Sequence, residues 1–174
     1  MAERIIGKVR IAGIDFADVI TSAPGIAAAS WEAQALTLRD DEVSIIEADA
    51  TEEELLSHEN DTPEDVDYYG GATTIAGAFI KQTYAQLVAT LGGTITGTGE
   101  NAQYMRAAKK LVLNKAVRFR LKGGGSIIIP NAKGVVQLHM NVGFGGVSKY
   151  PFRFRPLASA IKDTNDDPVD IIFE

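Results

Sequence analysis

Cysteine is absent from this chain, and that removes a disulfide framework, a thiolate metal site and a thiol nucleophile together. The redox compartment is left open. Histidine is scarce: His58 and His139 stand alone, in different predicted elements, with neither an H-x-x-x-H nor an H-x-H spacing to begin a metal site. His139 falls on the polar side of its predicted strand, where solvent or a subunit contact is the plainer role. No G-x-S-x-G nucleophile elbow occurs. The acidic stretch lacks the D-x-[DN]-x-[DN]-G order of a calcium loop, and "DDEV" and "TEEE" read more simply as a turn and a helix start. No window approaches the roughly 20 apolar residues that a membrane helix needs. In "MAERIIGKVRIAG", charges at Glu3, Arg4, Lys8 and Arg10 break the apolar core that a signal peptide requires. The chain is expected to be soluble, without a membrane anchor, unexported by the general route, without cofactor or metal, and not an enzyme.

Two further absences concern charge. From Asp40 to Asp67 there are thirteen acidic side chains and no lysine or arginine; from Asn101 to Lys162 there are twelve basic side chains and no aspartate or glutamate. The net charge of −6 hides this segregation. It weighs mildly against a nucleic-acid surface. With 174 residues, of which 45% are hydrophobic, the chain is expected to form one domain over residues 1–174.

What is present reads mainly as β-structure. "KVRIAGIDFADV" suggests a first hairpin or bent strand, and "TSAPGIAAAS" breaks it at Pro24 and Gly25. "WEAQALTLRDDEVSII" predicts a strand, a turn at "RDD" and a second short strand from Val43 to Glu47. Thr51 stands three residues before Glu54, a capping-box spacing that predicts a short helix from Thr51 to His58. "NDTPEDVDYYGG" is turn chemistry from Asn60 to Pro63, ended by Gly70 and Gly71, and "ATTIAGAFI" is a buried strand. In "KQTYAQLVATLGG", Tyr84, Leu87, Val88 and Leu91 recur at helical spacing before the Gly92 stop. Residues 92–110 read as a long loop or extended hairpin.

Strict alternation then dominates. Val117, Phe119 and Leu121 oppose Arg118, Arg120 and Lys122; Val136, Leu138, Met140 and Val142 alternate with polar neighbours; Tyr150, Phe152 and Phe154 oppose Arg153 and Arg155. "PVDIIFE" closes the series. Each such strand buries one face and wets the other, as antiparallel sheets do. The expected fold is mainly β within the α+β class: an antiparallel β-sandwich or barrel of roughly eight strands, with one flanking helix and a short second helix.

The glycine clusters "KGGGS" and "GFGG" join β-alternating stretches and open no helix, so they read as hairpin turns and not as phosphate cradles. Gly123 to Gly125 form such a tip, followed by Pro130 at an edge-tolerant position. Arginines interleaved with aromatics in "KAVRFRLK" and "YPFRFRP" could suit single-stranded nucleic acid, yet strand alternation sends the rings and the guanidiniums to opposite faces. The two charge blocks either pair within one subunit or join neighbouring copies. In the second case the contact is heterologous and generates rings or filaments.

"TPEDVDYYGGATTIAGAFIKQTYAQLVATLGGTITG", then "KAVRFRLKGGGSIIIPNAKG", then "KYPFRFRPLASA" with "DIIFE", resembles the tail tube (major tail) proteins of tailed bacteriophages, over most of the chain. The resemblance lies in the order and spacing of elements. It implies a virion structural protein, assembled in the host cytoplasm, whose copies form hexameric rings stacked into a hollow tube with other tail proteins. DNA passes through the lumen during ejection without specific binding. By position, Asp40–Asp67 and Gly92–Lys110 match the arms that connect stacked rings. The interface candidates are Asp40, Asp41, Glu42, Glu52, Glu53, Glu54, Asp65 and Asp67 on the acidic side. On the basic side they are Arg106, Lys109, Lys110, Arg118, Arg120, Lys122, Arg153 and Arg155. Reversing Arg118 and Arg120 to glutamate is expected to leave the fold intact and abolish assembly. The alternative is a β-sandwich binding or adhesion module on a virion or cell surface, for which the single Trp31 and the core-directed phenylalanines are a poor aromatic supply.

Overall fold

The structure is a computed structural model that describes residues 9–38, 41–55, 63–143 and 146–174. In chain order the strands are β1 (Ile11–Ala17), β2 (Glu32–Ala33), β3 (Ser44–Glu47), β4 (Thr51–Leu55), β5 (Asp65–Tyr69), β6 (Thr73–Ile80), β7 (Thr94–Thr96), β8 (Gln103–Met105), β9 (Val112–Leu121), β10 (Ser126–Val136), β11 (Lys149–Pro156) and β12 (Ile172–Phe173). The helices are α1 (Ala23–Ala28) and α2 (Tyr84–Leu91), with one 3₁₀ turn at Gly99–Asn101.

The main sheet is antiparallel in the order β2-β1-β9-β10-β11-β6-β3, and β12 lies beside the first half of β10. Residues 34–38 close it. The Gln34 N–H donates to the Ile14 carbonyl at 2.8 Å, the Ile80 N–H donates to the Leu36 carbonyl at 2.7 Å, and Thr37 pairs with Phe79. One short segment thereby links the β1 side to the β6 side and makes a barrel. The core fills with Ile14, Phe16, Ile75, Phe79, Val117, Phe119, Phe152 and Phe154. Phe16 meets Phe154 edge-on at 5.4 Å between ring centroids, and Phe79 lies 4.5 Å from Phe152. Such pairs add about 0.5–1.5 kcal/mol each beyond area burial.

α2 plugs one end of the barrel with Leu87 and Leu91. Its start is a capping box: the Thr83 hydroxyl accepts from the Gln86 N–H, and the Gln86 side chain accepts from the Thr83 N–H. The box expected at Thr51 is not one. Thr51–Leu55 is a strand paired with Asp65–Tyr69, and residues 56–62, with the expected helix end and most of the expected turn, lie outside the described residues. A single helical turn would gather Glu52, Glu53 and Glu54 with no buried face to hold them. Pairing with a β-branched and aromatic strand satisfies the backbone instead.

Pro130 also departs from expectation. It sits inside β10, a central strand, where Ile129 pairs with Val117 and Ala132 with Lys115, so Pro130 and Asn131 together face Ala116. A bulge is where a central strand tolerates a residue without an N–H. The bulge also flips the phase of the strand: Ile127 and Ile129 point into the core before it, Ala132 and Val136 after it. Residues 137–142, expected as strand, keep the Gln137 N–H bond to the Pro151 carbonyl at 2.7 Å and a bridge between His139 and Lys149. At the other end of β10 the glycine turn is as expected, with φ of +86° at Gly124 and +83° at Gly125. For "GFGG", Phe144 and Gly145 lie outside the described residues.

A second apolar layer coats the outer face of β1 and β9. Ala17, Ile20, Ala116 and Ile161 are buried there under Trp31, Val169 and Ile172. The chain after β11 thus returns as a strap over the barrel wall, its end pairing with Ile127 and Ile128.

Candidate functional site

Two arms leave the barrel at opposite ends. β6 begins next to the β4–β5 hairpin and ends at α2, which leads into the β7–β8 hairpin. The first arm prolongs the β3–β6 ladder without a slip in register: Glu47 pairs with Thr73, the Ala48 N–H reaches the Ala72 carbonyl at 3.3 Å, and Thr51 pairs with Tyr69. A side chain at Gly71 would collide with the Ala48 carbonyl, so the neck requires glycine. From Ala48 to Leu55 the ribbon runs about 23 Å at roughly 3.3 Å per residue.

Every residue of β4 is exposed, and so is every residue of β5 except Val66. Glu53 faces Asp67 directly, a like-charge pair that opposes pairing. Exposed Leu55, Tyr68 and Tyr69 accompany these carboxylates. A free two-stranded ribbon is marginal in water. This one carries a charge load that makes it more so.

At the opposite end, Arg106, Lys109 and Lys110 are exposed between β8 and β9. Close by in the topology, the chain that links β10 to β11 exposes Met140, Val142 and Val147. The β7–β8 hairpin is clasped to α2 by Tyr104, whose hydroxyl donates to the Gly92 carbonyl at 2.5 Å and whose ring stacks on Tyr84. Burial pushes the Tyr104 phenol above its ordinary range, with the nearby Arg106 charge pulling weakly the other way.

The structure divides the predicted acidic block. Glu52, Glu53, Glu54, Asp65 and Asp67 are on the first arm, whereas Asp41 lies near the α2 end, where it accepts from Lys149 at 2.7 Å, and Glu42 is exposed next to it. Asp40 lies outside the described residues. The basic set divides too. Lys122 is exposed at the turn after β9, and Arg153 and Arg155 stand on the outer wall of β11.

Arg118 and Arg120 have a partner that sequence reading missed. Asp15, opposite Arg118 in the β1–β9 register, is 2% exposed; its Oδ2 accepts from Arg118 Nη2 and Nε at 2.7 and 2.9 Å, and its Oδ1 accepts from Arg120 Nε at 3.2 Å. The Arg118 guanidinium also lies 4.5 Å over the Trp31 ring. Reversing both arginines would gather three carboxylates, one of them buried, so the expected intact fold of that variant is corrected: it tests stability before assembly. The available signal was an aspartate flanked by the core residues Ile14 and Phe16 on the first strand.

Among the described residues, no group of three or more histidine, aspartate or glutamate side chains converges as a metal site, and no helix is long and apolar enough to cross a membrane. No known family model matches the chain, and comparison with characterised proteins finds no match.

Proposed function

We propose that the chain is a self-assembling structural subunit whose copies stack end to end into a hollow tube of the phage-tail type. The observation that carries this reading is the polarity of the barrel. One end extends an acidic, partly apolar hairpin, and the other presents Arg106, Lys109 and Lys110 beside exposed Met140, Val142 and Val147. Matching ends on one molecule make a heterologous contact, which repeats along an axis. The resemblance in element order supports the further expectations: six copies per ring, other tail proteins at the tube ends, and DNA passing through the lumen without specific contact.

Tyr68 and Tyr69 are the observation that favours the alternative, a binding or adhesion module. Adjacent strand residues point to opposite faces, so the two rings build no common platform for a sugar. Negative-stain microscopy of the purified protein over a range of concentration and salt is expected to show rings or tubes. Monomers under every condition, with specific retention on a glycan surface, would replace this reading with the alternative.

A further inference from the structure

Past the Pro130 bulge, the outer wall of β10 and its neighbour β11 is exposed and cationic. Lys133 faces Arg155 directly, and Val135 faces Arg153, so three positive side chains share one patch. None of the three has an ion-pair partner among the described residues. Like charges set opposite each other weaken a sheet. Exposed Val112, in register with Val135, gives the patch an apolar border.

A neighbouring sector of the same wall is acidic. The strap that follows β11 carries a turn with Asp163, Asp166, Asp167 and Asp170, all exposed. Lys162 pairs with Asp166 at 2.6 Å, and Asp163 accepts the N–H groups of Asn165 and Asp167 at 2.8 and 3.0 Å. Asp167 and Asp170 are left without an ion-pair partner among the described residues. The turn is stiff: buried Ser159 donates to the Val169 carbonyl at 2.6 Å, the Val169 N–H donates to Ile161, and Lys162 bridges to Pro168. A rigid acidic projection loses little entropy on docking.

We propose that Lys133, Arg153 and Arg155 form the lateral contact between copies, and that they receive the Asp163–Asp170 turn of a second copy. This rests on the self-assembly reading above. The residues that flank the turn, Ile161 and Val169, pack on the outer layer over Ala17 of β1 and Ala116 of β9, and the patch lies on β10 and β11, so both are anchored on the barrel wall. A heterologous contact between two sectors of a wall turns from copy to copy, and it gives a ring when that rotation closes on itself. The β4–β5 hairpin is the less suitable occupant, because it leaves along the barrel's end.

The test is a charge swap followed by sedimentation velocity, with circular dichroism and thermal melting as the check of fold. The R153E/R155E variant is expected to fold and to lose ring-sized species, and D167K/D170K to do the same. The quadruple variant R153E/R155E/D167K/D170K is expected to recover them. Assembly of R153E/R155E at the wild-type concentration would overturn the proposal while leaving self-assembly standing. Failure of the quadruple variant to recover, or recovery instead on adding E52K/E54K, would overturn the assigned occupant. A wild-type protein that never assembles would sink the underlying reading as well, so the two failures are distinguishable.

Discussion

Asp15 carries the largest residue-scale consequence. Its carboxylate is nearly sealed from water beneath two guanidiniums, one donating two N–H groups to Oδ2 and the other reaching Oδ1 from the diagonal position on β9. Removing one partner of a buried pair costs about 3–5 kcal/mol, because the remaining charge stays desolvated. Here Arg118 and Arg120 retain 26% and 48% side-chain exposure and can rehydrate in part, which places Asp15→Ala near about 3 kcal/mol. Urea unfolding should show a lower midpoint at unchanged slope. A loss under about 1 kcal/mol would mean that the triad behaves as an ordinary surface ion pair. The arginine side of this triad was legible, since strict alternation in "KAVRFRLK" put three cations on one face. Its partner was not, because cross-strand register between segments about a hundred positions apart leaves no local trace. Lys133 was missed for a related reason: the bulge at Pro130 and Asn131 inverts the phase of β10, and no spacing rule anticipates where a bulge falls.

At the scale of elements, capping chemistry was read in the wrong place and the helix in the right one. Thr51 with Glu54 and Thr83 with Gln86 have the same spacing, but only the second opens onto an apolar stripe that a core can receive, so only the second is a helix. The hairpin after that helix is tied back by the Tyr104 hydroxyl on the Gly92 carbonyl, and this contact makes a pH prediction. Burial raises the folded-state value of the phenol above its unfolded value. The clasp therefore contributes fully below the ordinary tyrosine value of about 10, and its contribution is lost as pH climbs through the folded-state value. Melting temperature followed from neutral to strongly alkaline pH should fall more gently in Tyr104→Phe than in the wild type, from a lower start. Parallel curves would show that the hydroxyl does not hold the hairpin.

For the whole molecule, the segregation of charge along the sequence was legible, but its distribution in space was not. Asp41 and the carboxylates of the β4–β5 arm belong to one acidic run, yet the ladder of β3 on β6 carries them toward opposite ends of the barrel. The basic run is likewise split among an end, a wall and a buried partner. If these surfaces meet between copies, ionic strength must govern assembly. Three exposed pairs at about 0.5 kcal/mol each amount to about 1.5 kcal/mol, or about tenfold in affinity per contact. Raising salt from about 0.01 to about 1 M shortens the screening length from about 30 to about 3 Å, which removes most of that attraction. Sedimentation across such a series should show assembled species giving way to monomer, with the melting temperature of the monomer little changed. Association that holds steady or strengthens with salt would assign the contacts to the exposed apolar side chains, Leu55 and Tyr68 on the arm and Val142 at the far end, and would remove charge complementarity as the organising force.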